Sequence, residues 1–140
     1  MPTHFHLLLK QLKGNGISKF LSLIENSYTR FFNLTHRRKG PLWESRFKSV
    51  HIDTDEQLLH LTRYIHLNPT SAKLVNKPEQ WKFSSYYEYL ERKPSKSDIC
   101  RFSDIISLNA KQYKEFVEDR ISYQQELSLV KKYLLDNYTG

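Results

Sequence analysis

Between residues 17 and 32 the apolar side chains Ile17, Phe20, Leu21, Ile24, Tyr28, Phe31 and Phe32 recur at intervals of three and four. That spacing collects them on one stripe of an α-helix and on no single face of a strand, so it predicts a helix with one buried side. Gly14-Asn15-Gly16 breaks the chain just before it. A core has to hold this helix, because the lone Cys100 can form neither an internal disulfide nor a Cys-rich zinc site. At 140 residues, with 39% hydrophobic residues, 14% aromatics and few Gly or Pro, the chain has the material for one ordinary domain and is not of a disordered or collagen-like type. No apolar run approaches the roughly 18 residues of a membrane span. Met1-Pro2-Thr3-His4 also lacks the charged and apolar regions of a signal peptide, so the chain reads as cytoplasmic with no membrane partner.

Other elements follow from local signals. His4 to Leu9 reads as a short strand, and Leu42 to Ile52, which carries Trp, Phe, Val and Ile, reads as a second one with Arg46 and Lys48 on one face. Thr54-Asp55-Glu56-Gln57 fits a capping box, opening a helix with the stripe Leu58, Leu61 and Ile65, and Pro69 is expected to end it. A short helix over Ser71 to Val75 and an aromatic-dense, core-packing stretch over Trp81 to Leu90 come next. Arg92 to Ser97 is polar enough for a linker, which divides the chain into a domain over 1–93 and a helical extension over 94–140. In that extension Tyr113, Phe116 and Val117 mark one amphipathic helix, and Tyr123, Leu127, Val130 and Leu134 a second.

Charge is segregated. Up to Ile52 there are nine basic residues, Lys10, Lys13, Lys19, Arg30, Arg37, Arg38, Lys39, Arg46 and Lys48, against Glu25 and Glu44, and the remainder of the chain is balanced. The whole excess of +7 therefore lies in the first third, which suits a polyanionic partner because clustered cations gain affinity by releasing counterions from phosphates.

His4 and His6 are two apart, so on a strand both imidazoles project from one face, which is bidentate metal-ligand geometry. Tyr64 and Asn68 stand one turn apart on the capped helix, with His60 one turn earlier. Each pair also has a structural reading, a chance His-x-His in the one case and a half-buried aromatic plus a helix end in the other. Together they supply two nitrogen ligands, an oxygen ligand and a hydroxyl nucleophile in a basic protein. That set suits phosphodiester cleavage through a covalent phosphotyrosine, with Mg²⁺ or Mn²⁺ polarising the phosphate.

Four blocks in order carry a resemblance: Met1-Pro2-Thr3-His4-Phe5-His6-Leu7-Leu8-Leu9; Gly40-Pro41-Leu42-Trp43 leading to Arg46-Phe47-Lys48-Ser49; Arg63-Tyr64-Ile65-His66-Leu67-Asn68-Pro69; and Trp81-Lys82-Phe83-Ser84-Ser85-Tyr86. Over residues 1 to about 90 the chain resembles the single-tyrosine HUH transposases, closest to the REP-associated branch. The resemblance implies a ferredoxin-like α/β (α+β) fold with an antiparallel sheet, binding of single-stranded or hairpin DNA, and metal-dependent DNA nicking and rejoining in transposition. By the same resemblance His4 and His6 match the metal pair, Tyr64 the nucleophile that retains a 5′-phosphate, and Asn68 the residue completing the metal site. Lys10, Lys13, Arg37, Arg38, Lys39, Arg46 and Lys48 are the candidate DNA-binding residues. Members of the family usually carry an upstream strand and helix, so the likeness implies an N-terminally truncated chain. The edge left open could be covered by a second copy, giving a homodimer. Glu44 and Ser45 stand where many relatives have Gln and Gly. The alternative reading is a catalytically incomplete DNA-binding remnant.

Overall fold

A computed structural model describes residues 1–91, 100–102 and 106–121. The chain divides into two compact units, one formed by Leu7–His51 and the other by Met1–His6 with the chain from Ile52 onward.

In the first unit the expected helix forms as α1, Gly16–Thr35. The break before it takes the form of Asn15 in the left-handed region at φ 58°, a conformation Asn tolerates better than most residues. The segment after α1 folds back on it: the Trp43 indole N–H donates to the Glu25 carbonyl at 3.2 Å, and the Trp43 ring lies 5.9 Å from that of Tyr28. The helix is as the periodicity demands, but its stripe is not buried, Leu21 being its only buried residue.

In the second unit α2 spans Asp55–Ser71. Its start is the capping device expected, with the Thr54 hydroxyl accepting from the Gln57 amide at 3.2 Å and the Gln57 side chain accepting from the Asp53 amide at 2.9 Å. Its end is not at Pro69. The proline removes one hydrogen bond, yet Ala72 N–H still reaches the Asn68 carbonyl and Leu74 N–H the Pro69 carbonyl, both at 3.0 Å, so the helix runs on to Ser71. A separate helix over Ser71 to Val75 does not form. A 3₁₀ turn at Pro78–Gln80 and α3, Tyr86–Glu91, follow. The helix expected around Tyr113 is α4, Ala110–Glu118, closed at its start by reciprocal 2.9 Å bonds between Asn109 and Gln112. Leu67, Tyr86, Tyr89, Ile106, Tyr113 and Val117 form the core, with Phe102 stacked on Tyr89 at 4.0 Å. The linker at Arg92 to Ser97 and the helix through Tyr123, Leu127, Val130 and Leu134 lie outside the described residues.

The fold class differs from expectation. Among the described residues there is no strand and no sheet, so the architecture is helical rather than a ferredoxin-like α/β domain with an antiparallel sheet. The segments at His4 to Leu9 and Leu42 to Ile52 have the apolar and aromatic content of strands, but a strand exists only as part of a ladder, and among the described residues neither is paired along a neighbour. Among the described residues there is thus no open strand edge for a second copy to pair with. The buried face of α2 is also not the expected one. Leu58, Leu61 and Ile65 are only half-buried, whereas Thr62, His66, Leu67 and Thr70 face inward. Polar groups tolerate burial when each finds a partner. Thr62 donates to the Leu58 carbonyl at 2.7 Å, and His66 is held on both ring nitrogens, by the Tyr113 hydroxyl at 2.8 Å and by Ser85 at 3.0 Å.

Candidate metal and nucleophile site

The helical periodicity of α2 separates neighbours in sequence into two environments. His66 points into the core, while Tyr64 and Asn68, two residues to either side, share the outer face. Tyr64 is exposed at 38%. His60, a turn earlier, is engaged by Arg63 at 2.8 Å and lies 3.9 Å from Glu56, and Arg63 in turn sits 4.1 Å above the Phe116 ring. This anchors the helix against α4 and leaves Tyr64 and Asn68 as the chemistry-bearing groups of the outer face.

Onto that face comes the amino-terminal segment. His6 Nε2 lies 2.8 Å from the Asn68 carboxamide nitrogen, a contact spanning 62 positions of sequence. The His6 ring is 6.0 Å from the Tyr64 ring and 5.1 Å from that of His4. His4, His6, Tyr64 and Asn68 are thus gathered at one place, without the strand that was expected to present the two histidines. Burial, and secondarily the charge of His4, lowers the pKa of His6 below the ordinary imidazole value. A lowered pKa keeps the ring neutral, the form that binds a metal.

The arrangement can be tested against the divalent ion that the residue types call for. Two donors each about 2.1 Å from one ion and at right angles stand roughly 3 Å apart, and His6 and Asn68 already have that separation. A half-turn of the carboxamide puts its oxygen where its nitrogen now lies. The His6 imidazole and the Asn68 carboxamide oxygen could together hold a divalent ion such as Mn²⁺, with coordination positions left for further ligands. No group of three or more His, Cys, Asp or Glu capable of holding a metal occurs among the described residues. Calorimetric titration with Mn²⁺ should show each of His4→Ala, His6→Ala and Asn68→Ala weakening binding by at least the about tenfold that loss of even an outer-shell partner causes. Affinity should also fall as pH drops, because metal binding competes with protons for the ligand nitrogens. Unchanged binding in both histidine variants would return the pair to a chance His-x-His.

The candidate DNA-binding residues Lys10, Lys13, Arg37, Arg38, Lys39, Arg46 and Lys48 all lie in the Leu7–His51 unit, and all are exposed. The loop after α1 is held rather than loose. Arg38 donates to the Asn33 side chain at 3.2 Å and to the Pro41 carbonyl at 2.8 Å, and Asn33 donates to the Gly40 carbonyl at 2.9 Å. Arg37 takes a left-handed conformation at φ 50° and Gly40 one at φ 95°, which together turn the chain between the two anchors. The loop therefore presents Arg37 and Lys39 from a defined frame. Exposure of the α1 aromatics is the feature that periodicity could not signal, since a stripe has the same spacing whether or not it is covered.

Compared with family models, with curated proteins and with solved structures, the chain has no match. No helix among the described residues is long and apolar enough to cross a membrane.

Proposed function

We propose that this protein is a transposase-like enzyme of the single-tyrosine HUH type, which nicks and rejoins single-stranded or hairpin DNA with a divalent metal. The observation that carries the reading is the 2.8 Å contact of His6 with Asn68, one turn from Tyr64, which gathers a metal-ligand set beside a hydroxyl nucleophile. In the step proposed, the Tyr64 oxygen attacks the scissile phosphorus and loses its proton to water. The bond from phosphorus to the 3′ oxygen breaks, that oxygen is protonated, and Tyr64 retains the 5′-phosphate. Attack by another 3′-hydroxyl reverses the step and rejoins the strand. Mn²⁺ or Mg²⁺ held by His4, His6 and Asn68 would polarise the phosphate. The basic unit supplies sequence-independent hold on the phosphates, and the reading places the protein in the cytoplasm with its DNA.

Incubation with labelled hairpin DNA and Mn²⁺, followed by denaturing electrophoresis, tests this. A protein-linked fragment supports the reading, and intact DNA overturns it. A second reading, a DNA-binding remnant without catalysis, is favoured by the lack of strand pairing for the His4–His6 segment among the described residues, and it corresponds to binding with no cleavage.

The phosphate contacts have a test of their own. Affinity for single-stranded DNA should fall with salt at a log–log slope of about −0.7 per phosphate neutralised. Replacing Arg37, Arg38 and Lys39 by Ser should flatten that slope by roughly two to three units if all three engage phosphates. An unchanged slope would assign the loop to a solvated surface. Since Arg38 also ties the loop to Asn33 and Pro41, an Arg37→Ser, Lys39→Ser pair separates loss of charge from loss of loop shape.

A further inference from the structure

Among the described residues much of the apolar stripe of α1 is exposed. Phe31 is 63% exposed, Phe20 and Tyr28 are each 46% exposed, and Ile24 lies between them. Phe20 and Phe31 are eleven positions apart, so they stand at nearly the same angle around the helix and about 16 Å apart along it. At the amino end of the stripe, Ile17 and Phe20 help wall a hollow of about 400 Å³ whose lining includes Lys10 and Lys13. At the other end the Tyr28 and Phe31 rings are 6.5 Å apart, with Trp43 beyond Tyr28. Lys19 and Arg30, both exposed, stand on the same helix about 100° round from Phe20 and Phe31.

A contiguous exposed apolar face calls for an occupant, and charge decides which. The unit carrying this face holds all nine basic residues of the first third and only Glu25 and Glu44 in opposition. A second copy laid on the stripe would bring two such basic surfaces together. A polyanion with flat apolar groups satisfies the rings and the cations at once, and unpaired nucleic acid bases offer a π-face whatever their identity. We propose that the α1 stripe is a stacking platform for the unpaired bases of single-stranded DNA, with adjoining phosphates on Lys10 and Lys13 beside the hollow. The inference rests on the DNA reading above and adds the residues that hold bases rather than phosphates. Phe31 and Tyr28 are the central rings, and the hollow beside Phe20 receives the end of the bound segment.

The test uses the full chain and fluorescence anisotropy with two labelled strands of equal length, one of mixed sequence and one in which tetrahydrofuran residues replace every nucleoside. The parent should bind the abasic strand at least about tenfold more weakly. Phe31→Ala, and Phe31→Ala with Tyr28→Ala, should lose that preference while binding the abasic strand as the parent does. Phe31→Trp should keep it, with helix content checked by circular dichroism in each variant. Equal affinity of the parent for both strands, with the expected salt dependence intact, overturns the stacking platform and leaves the DNA reading standing. No binding of either strand overturns both. Tighter binding of an RNA of the same sequence overturns the assignment to DNA. Sedimentation showing a parent dimer that Phe31→Ala converts to monomer gives the stripe to a second copy instead.

Discussion

Tyr64→Phe should abolish covalent attachment to DNA, a loss on the order of 10⁴- to 10⁶-fold in cleavage rate as is usual when a nucleophile is removed, while leaving hairpin affinity nearly unchanged. The variant keeps the ring that sits beside His6 and removes only the hydroxyl, so the metal site and α2 should be undisturbed. Denaturing electrophoresis of the protein with labelled hairpin DNA and Mn²⁺ reads the adduct directly. An undiminished adduct in this variant would sink the assignment and direct attention to the exposed Tyr28 and Tyr87. Tyr86, Tyr89 and Tyr113 are buried in the core and are not alternatives, since a phenol there has no path to a phosphate.

Acid should unfold the second unit through His66. Burial lowers the pKa of this imidazole from 6.5 to about 3, and the ring is 1% exposed. The unfolded chain binds a proton near pH 6.5 that the folded chain refuses until about pH 3. The stabilising effect of the neutral ring is therefore complete above pH 6.5 and is lost progressively as pH falls, at about 1.4 kcal/mol per pH unit. Urea unfolding at pH 6, 5 and 4 should show this slope, and His66→Gln, which cannot titrate, should flatten it. The variant should also be less stable at pH 7 by about 1–3 kcal/mol, because the Tyr113 and Ser85 hydroxyls lose well-placed partners. A slope as steep in His66→Gln as in the parent would show that other groups govern acid unfolding. The distinction from His6 is instructive. Both rings have lowered pKa values with burial as the leading cause, but His6 lies at an exposed site beside Asn68. His66 is neutral because the aromatic core around it excludes water.

What could be read from sequence divides along the range of the interactions involved. The extent of α1, the capping of α2 by Thr54 and Gln57, and the amphipathic helix around Tyr113 rest on residues within a turn or two of one another, so periodicity and cap chemistry determine them locally. The segregation of all the excess positive charge into the first third is likewise a property of order alone. The candidate site was named from sequence as four residues, but the spacing of His4 with His6 and of Tyr64 with Asn68 says nothing about whether the two pairs meet.

That meeting was decided only in three dimensions, where His6 reaches Asn68 across 62 positions. The same holds for the expected sheet. Apolar and aromatic content makes His4 to Leu9 and Leu42 to Ile52 suitable for strands, but pairing needs a distant partner and none lies along either segment among the described residues. Burial too is tertiary. The α2 sequence marks Leu58, Leu61 and Ile65 as the inward stripe, yet the packing of Tyr113, Tyr86 and Ser85 turns His66 and Thr62 inward instead. An amphipathic pattern specifies a helix and its candidate faces. Which face is covered depends on what packs against it, and for α1 the sequence could not say that Phe20, Tyr28 and Phe31 would be left exposed, because exposure is a property of neighbours and not of spacing.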